Sequence, residues 1–181
     1  MEPAAIPEVR LIMPKRHGDH RGFLSEVYGR RALAAAGIDI EFVQDNHTMS
    51  AMAGTVRGLH YQLPPMAQAK LVRVTRGAIY DVAVDLRRQS PTFGRHVGVV
   101  VSAQAWNQVL VPVGFAHGFC TLAPETEVIY RLSSDYSPAH ERGLLWNDEA
   151  LGIDWPVAGD AAILSDRDRG NPRLAGLTDL F

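Results

Sequence analysis

One stretch of the chain, GTVRGLHYQLPPMAQAK, brings together four residues able to bind an anion or transfer a proton. They are two cations, an imidazole and an amide: Arg57, Lys70, His60 and Gln62. The pattern predicts a strand, a sharp bend at the two prolines and a second strand that begins at the lysine. A neutral imidazole can take a proton near neutral pH, and an ammonium can stabilise an enolate oxygen. The stretch therefore predicts a pocket wall suited to proton transfer, with a buried, backbone-bonded His60 as the alternative.

Strict alternation along the first strand of this stretch predicts two faces. The even-numbered residues from 56 to 62 share one face, which includes His60. The odd-numbered residues, which include Arg57, share the other face. We therefore expect the imidazole to face a pocket, beside small and amide side chains.

Four further segments carry side chains that could do chemistry. A tyrosine inside an apolar strand needs a partner for its phenol, and a histidine follows a turn in a Pro-x-Gly-x-x-His pattern. A carboxylate behind a histidine would fix the imidazole tautomer, but spacing alone does not place one there. The candidates in these segments are Arg21, Phe23, Glu26, His117, Tyr130, Arg167 and Asp168.

Length and composition predict one globular domain spanning residues 1–181. Hydrophobic residues make up 46% and charged residues 21% of the 181 residues, which is typical of a folded domain. The formal net charge of -2 and the lack of a basic run argue against nucleic acid as a partner. No secretory leader or membrane-spanning run is recognised, so we expect a cytoplasmic protein. The single cysteine, Cys120, lies in an apolar segment and is expected to be a buried, inert thiol.

Short β signals separated by turn residues predict a mainly β protein, an antiparallel sandwich or barrel with short helices. The best helix candidate in the N-terminal half spans residues 30–36 and is ended by Gly37. The strands are expected at residues 9–13, 23–28, 41–50, 70–75, 78–86, 96–102, 107–111, 115–122 and 127–132, besides the one that carries His60.

Two histidines in a small β-barrel raise the alternative of a metal site. The metal-binding cupin pattern needs His-x-His and a Glu before Pro-x-Gly-x-x-His, whereas this chain has His60-Tyr61-Gln62. Two imidazoles with no adjacent carboxylate fall short of the usual three-ligand catalytic set. We therefore expect no metal and no other cofactor.

Several segments in collinear order closely resemble the dTDP-4-dehydrorhamnose 3,5-epimerase family. The resemblance runs from about residue 9 to about residue 172 and so covers nearly the whole chain. Because the matching segments are many and in order, the resemblance is far more specific than Pro-x-Gly-x-x-His alone. The segments are VRGLHYQ at 56–62, DVAVDLR at 81–87, SPTFG at 90–94, PVGFAHGF at 112–119, WND at 146–148, GIDWP at 152–156 and LSxxD at 164–168.

The resemblance implies a metal-free, cupin-type jelly roll that works as a homodimer and exchanges part of its N-terminal region. It implies that His60 is the base, paired with Asp168, and that Tyr130 is the acid. Lys70 would hold the C4 oxygen of a dTDP-4-keto-6-deoxyhexose, with His117 nearby. The binding residues that it implies are Gln44, Asn46 and Arg57 for sugar and phosphate, Arg21, Phe23 and Glu26 for the nucleotide of the partner subunit, and Tyr136, Glu141 and Arg167.

The chain departs from the family pattern at three places. His47 stands where the family often has Ser, Arg167 stands where it often has Lys, and residues 131–135 match loosely. The acid–base set is unaffected by these changes. The implied reaction is inversion at C3 and C5 on the route to dTDP-L-rhamnose. The alternatives are a mono-epimerase of another deoxysugar pathway, a metal-dependent cupin oxygenase or isomerase, and a sugar-binding cupin without activity.

Overall fold

The computed structural model describes residues 1–181, and strands dominate its regular structure. The helices are short: α1 (Arg30–Ala35), α2 (Asp166–Arg169) and two 3₁₀ turns at Glu149–Leu151 and Leu174–Gly176. The strands are β1 (Glu2–Pro3), β2 (Arg10–Ile12), β3 (His17–Asp19), β4 (Gly22–Leu24), β5 (Gln44–Ser50), β6 (Val56–Gln62), β7 (Lys70–Arg76), β8 (Ala78–Asp85), β9 (His96–Ser102), β10 (Gln108–Val111), β11 (Phe115–Thr121), β12 (Thr126–Leu132) and β13 (Glu141–Gly143).

Two antiparallel sheets face each other across the core. The larger has six strands in the order β1-β2-β10-β7-β12-β5, and the smaller has five in the order β13-β6-β11-β8-β9. Strands β3 and β4 form a separate hairpin. Strands that are neighbours in a sheet are mostly distant in sequence, as in a jelly roll. The prediction of a mainly β, cupin-type jelly roll is confirmed.

The core lies between the inner faces of the two sheets. Its largest cluster contains 13 buried residues, among them Val72 and Val74 of β7 and Phe115 and Phe119 of β11. Residues two apart along a strand share a face, so both phenylalanines point inward together with the residue between them, His117. Apolar packing closes one part of this space, and polar side chains occupy the rest.

Element ends differ from the sequence prediction mainly in the N-terminal region. Helix α1 ends where expected, with Gly37 at φ +83° just beyond its cap. Strand β4 covers only part of residues 23–28. The following residues bond to side chains of the turn before β10 and of its first residue instead of pairing as a strand. Ser25 Oγ accepts from Trp106 Nε1 at 3.0 Å, and the Val27 carbonyl accepts from Gln108 Nε2 at 2.9 Å.

The single cysteine, Cys120, is fully buried, as predicted, and burial raises the pKa of its thiol to about 11. The longest helix, α1, has 6 residues, and no helix has the length and apolar character needed to cross a membrane.

Candidate active site

A cavity of about 460 Å³ opens between the two sheets and is lined by polar side chains from both. A second chamber of about 150 Å³ adjoins it and shares His60, Lys70 and Tyr130 with it. The combined size is in the range of small-molecule sites. Because these three residues line both chambers, they lie where the chambers meet. They are also the residues that the sequence analysis proposed for proton transfer.

His60 is hydrogen-bonded to Asp168. The distance from His60 Nε2 to Asp168 Oδ1 is 2.6 Å, and the other carboxylate oxygen accepts the Gly58 N–H at 3.3 Å. Ser165 caps helix α2 by accepting the Asp168 N–H at 3.1 Å, which fixes the position of the carboxylate. Burial by itself raises the pKa of Asp168, but the bond to His60 and its charge outweigh this effect and hold the pKa below its usual value. The carboxylate can therefore orient the imidazole as a base.

A bulge in β6 explains why Arg57 and His60 both line the cavity. His60 lies opposite His117 and Arg57 lies opposite Phe119, so three steps along β6 match two steps along β11. The prediction that these two side chains face opposite ways was wrong, because the extra residue reverses the alternation. Gly58 lies within the bulge at φ +122°, and a Cβ there would come within 2.6 Å of the Gly118 Cα.

Lys70 begins β7 and reaches across the cavity to β6. Its Nζ donates to the His60 carbonyl oxygen at 3.3 Å, and the residue is only 9% exposed. Burial lowers the pKa of Lys70 to about 8, although the charges of Asp81 and Glu141 oppose the change. The ammonium is thus available near neutral pH, in surroundings where it interacts strongly with a developing negative charge.

Tyr130 faces His60 from the other sheet. It lies in β12 of the larger sheet, between Asn46 of β5 and Val72 of β7, whereas His60 belongs to the smaller sheet. Both side chains line the two chambers. A molecule held between them would have the imidazole on one side and the phenol on the other.

His117 is buried and is paired with a carboxylate that sequence reasoning did not assign. The distance from His117 Nε2 to Asp81 Oδ2 is 2.9 Å, and the two residues are 5% and 1% exposed. Burial lowers the pKa of His117, while Asp81 opposes the change through its charge and hydrogen bond. A charged residue in the apolar run DVAVD was the sequence signal that could have singled out Asp81.

Cations lie at the edge of the cavity. Arg57 donates only to neutral groups, the Ser50 hydroxyl at 3.2 Å and the Met49 carbonyl at 3.3 Å. Its charge is therefore free to pair with an anionic ligand. Arg167 is held differently, because its NH2 lies 2.7 Å from Glu141 Oε2.

The second chamber is lined by Asn46, Tyr136 and Glu141, and Gln44, which is not part of the lining, links Asn46 to Tyr136. The Tyr136 hydroxyl donates to Glu141 Oε2 at 2.5 Å, and its backbone N–H donates to Gln44 Oε1 at 2.9 Å. Gln44 Nε2 in turn donates to Asn46 Oδ1 at 2.8 Å. The predicted binding residues of β5 and of the segment before β13 are thus brought together.

Gln62 has a structural role that the sequence did not indicate. Its Nε2 donates to the carbonyls of Met66 at 2.6 Å and Asp135 at 3.1 Å, and its Oε1 accepts the Ser137 N–H at 2.7 Å. These three bonds join the bend after β6 to the loop that carries Tyr136. An amide within an amphipathic strand gives no sequence signal for such a role.

Three predicted binding residues lie outside this cavity. Arg21 and Phe23 belong to the β3–β4 hairpin and line a separate surface pocket with His17, Asp19 and Leu24. Phe23 is 52% exposed and packs edge-on against Trp106, with ring centroids 4.8 Å apart. Glu26 lies in a third, largely apolar groove near α1. Within one chain, these side chains do not contribute to the site around His60.

The cavity contains no ligand set for a metal ion. Nowhere in residues 1–181 do three or more His, Cys, Asp or Glu side chains come together in a way that could hold a metal. Each imidazole of the site is instead bonded to one carboxylate, His60 to Asp168 and His117 to Asp81.

Comparison with known proteins gives consistent matches over nearly the whole chain. The family model described as dTDP-4-dehydrorhamnose 3,5-epimerase matches residues 3–176. A protein of that name from Pseudomonas aeruginosa is 52% identical over 172 residues, which cover 94% of this chain and 93% of the relative.

Solved structures agree with the sequence matches. The crystal structure of the Bacillus anthracis dTDP-4-dehydrorhamnose 3,5-epimerase, with TDP and PPi bound, has a TM-score of 0.91 and 51% identity and covers 94% of this chain and 96% of that one. ChmJ, a 3'-monoepimerase from Streptomyces bikiniensis in complex with dTDP-quinovose, has a TM-score of 0.88 and 38% identity, with 97% and 88% covered. The chain belongs to the dTDP-4-dehydrorhamnose 3,5-epimerase family.

Proposed function

We propose that the protein inverts C3 and C5 of dTDP-4-dehydro-6-deoxy-D-glucose to give dTDP-4-dehydro-L-rhamnose, a step of dTDP-L-rhamnose biosynthesis. The observation that carries this proposal is the placement of His60, bonded to Asp168 at 2.6 Å, and Tyr130 on opposite sheets of one cavity. Family membership supports the same reaction. We place the reaction in the cytoplasm, in a single domain formed by residues 1–181.

The proposed mechanism proceeds through an enolate at each carbon. His60 removes the proton from the carbon next to the C4 ketone, and the bond electrons pass to the C4 oxygen. Lys70 stabilises that oxygen with its ammonium. Tyr130 then returns a proton to the opposite face of the same carbon, so the configuration inverts and the substrate gains or loses no atom. His60 then releases its proton to solvent and Tyr130 takes one up, which resets both residues before the second carbon reacts.

The residues around the cavity suit a nucleotide diphosphate sugar. Arg57, which has only neutral partners, is placed to contact the diphosphate. Asn46 and the linked Tyr136–Glu141–Arg167 group are proposed to contact the sugar and to close the second chamber around it. His117 is proposed to contact the substrate from the floor of the cavity.

We further propose a homodimer in which the N-terminal β3–β4 hairpin reaches the site of the partner subunit. Arg21 and Phe23 would then contact the nucleotide from the partner, with Glu26 beside them. The exposed apolar side chains of the hairpin support this, since Phe23 is 52% and Leu24 is 71% exposed.

Mixing two inactive variants tests the shared site. In a heterodimer of His60→Ala and Arg21→Ala chains, one site would have both residues intact if Arg21 acts across the dimer. We expect activity to return after subunit exchange. If both residues act within one chain, no site is intact and no activity returns.

A second candidate is inversion of one carbon only. The similarity to the S. bikiniensis 3'-monoepimerase favours it, because that enzyme shares the fold at 38% identity. Proton NMR of the chelator-treated protein with dTDP-4-keto-6-deoxyglucose in heavy water separates the two. Deuterium at both C3 and C5 with a rhamnose-configured product supports the proposal, deuterium at one carbon supports the mono-epimerase, and no deuterium overturns both.

A further inference from the structure

Asp81 is a buried carboxylate for which the proposed function gives no use. It lies on β8 and is only 1% exposed, on the same face as Ile79 and Ala83 of the central core. Its Oδ2 accepts from His117 Nε2 at 2.9 Å, while its Oδ1 is buried and has no hydrogen-bond partner. A carboxylate in such surroundings is destabilising unless it is compensated. Its presence inside the barrel therefore calls for a reason other than packing.

The first effect of Asp81 is on the tautomer of His117. A carboxylate accepts hydrogen bonds, so it holds the proton of a neutral imidazole on Nε2 and leaves Nδ1 as an acceptor. No protein group is hydrogen-bonded to Nδ1, and His117 lines the main cavity beside His60, its register partner on the neighbouring strand. The ring therefore offers a fixed acceptor to a hydroxyl group of a ligand.

The second effect is on the charge of Lys70. The charges of Asp81 and Glu141 both oppose the lowering of the Lys70 pKa by burial. Glu141 is already paired with Arg167 at 2.7 Å, whereas Asp81 is bonded only to the His117 ring and lies in no ion pair with a lysine or arginine. The other titratable or charged groups that line the two chambers with Lys70 are Arg57, His60, Tyr61, His117, Tyr130, Tyr136, Glu141, Arg167 and Asp168.

We propose that Asp81 is a positioning residue for the reaction, acting through His117 and Lys70. It fixes the His117 ring with Nδ1 open to a substrate hydroxyl, and it supplies the negative charge beside which Lys70 remains an ammonium. Because Asp81 makes no direct ion pair with Lys70, the ammonium stays free for the enolate oxygen. This inference rests on the proposed epimerase function.

The test compares Asp81→Asn with Asp39→Asn, a control at an exposed position. We expect Asp81→Asn to lower kcat by about ten- to a hundredfold, with a smaller change in KM. The alkaline limb of its pH profile should move down by about one unit, so that part of the activity returns at lower pH. A merely structural role would reduce activity equally at every pH. A folded Asp81→Asn with the kcat and pH profile of the parent would overturn the inference.

An NMR measurement of the unliganded parent protein needs neither activity nor a variant of Asp81. In ¹⁵N-histidine spectra, with the His117 signals identified from His117→Gln, we expect the proton on Nε2 and an unprotonated Nδ1. A proton on Nδ1 would overturn the inference even if the enzyme is active. If the parent shows no epimerase activity, the proposed function fails, while the tautomer still shows whether Asp81 sets the His117 ring.

Discussion

His60 and Asp168 lie 108 positions apart in the sequence, yet His60 Nε2 and Asp168 Oδ1 are 2.6 Å apart. The carboxylate reaches the imidazole because α2 packs on β6 and Ser165 caps that helix at its start. Asp168 is 4% exposed, whereas the His60 side chain is 30% exposed to the cavity. His60 is thus held in place by Asp168 on one side of its ring, and its other side is open to the cavity.

Asp168→Asn should lower kcat by at least about a hundredfold, since the amide leaves the imidazole poorly oriented or in the wrong tautomer. Steady-state kinetics checks this result. Asp166→Asn is a matched control, because Asp166 lies on the same helix but is exposed. Equal losses in the two variants would show that the helix, and not the His60 contact, is responsible.

Tyr130→Phe should separate proton removal from inversion. The base and the ammonium remain, so substrate protons should still exchange with solvent, while inversion slows by about a hundredfold or more. NMR in heavy water measures both rates on one sample. Tyr28→Phe serves as a control, because Tyr28 packs with Phe42 in the small cluster near α1, away from the cavity. Loss of exchange and inversion to the same extent would argue against an acid role for Tyr130.

The activity should fall as the pH rises through about 8, the pKa of Lys70 in the folded protein. Above that pH the ammonium is lost and the enolate oxygen has no cation beside it. Stability should change in the opposite direction. Between the folded pKa and the usual value of about 10.4, the unfolded chain binds a proton that the folded chain has released, so the free energy of unfolding rises with pH.

A pH series of kcat and of urea unfolding tests both parts of this prediction. Lys70→Met is the control for the unfolding series, because it removes the titrating group. Its unfolding free energy should lack the rise above pH 8 that the parent shows. A parent kcat that stays constant up to pH 10 would contradict the assignment of the ammonium.

Gly58→Ala should destabilise the protein by about 2 kcal/mol or more. The residue has φ +122°, and its new Cβ would lie 2.6 Å from the Gly118 Cα and 2.8 Å from the His117 carbonyl. Gly22→Ala is a close control, since Gly22 has φ +129° but has no atom within 4 Å of its Cβ position. Thermal unfolding should show a larger loss for Gly58→Ala. Equal losses would mean that backbone strain alone matters and that the close approach of β6 to β11 does not.

Strand identity was predictable from the sequence wherever apolar and polar residues alternate against one buried face. Gln44 and Asn46 turn inward and Asp45 outward on β5, as the alternation predicts. The alternation predicted the wrong face for Arg57 relative to His60, because a bulge lies between them at Gly58. A bulge depends on how two strands pair, and the residue type of Arg57 does not indicate one. The register of β6 with β11 pairs His60 with His117, and it cannot be predicted from the sequence of either strand alone.

The groups that surround a site residue were harder to predict than the residue itself. Resemblance to the family pointed to His117 and Lys70, but the partner of His117 was not among the candidates. Asp81 reaches His117 from the neighbouring strand β8, and this pairing depends on strand order in the sheet. Gln62 likewise bonds to Asp135 and Ser137 of a single loop that is distant from it in sequence.

The central claim is that His60 removes the substrate protons, and a comparison of the parent with His60→Gln in heavy water tests it most directly. The measurement is the rate at which deuterium enters C3 and C5 of dTDP-4-keto-6-deoxyglucose, with circular dichroism as the check that the variant is folded. We predict that the parent labels both carbons and that folded His60→Gln loses exchange at both by about a thousandfold or more. Exchange at the parent rate in His60→Gln would contradict the account.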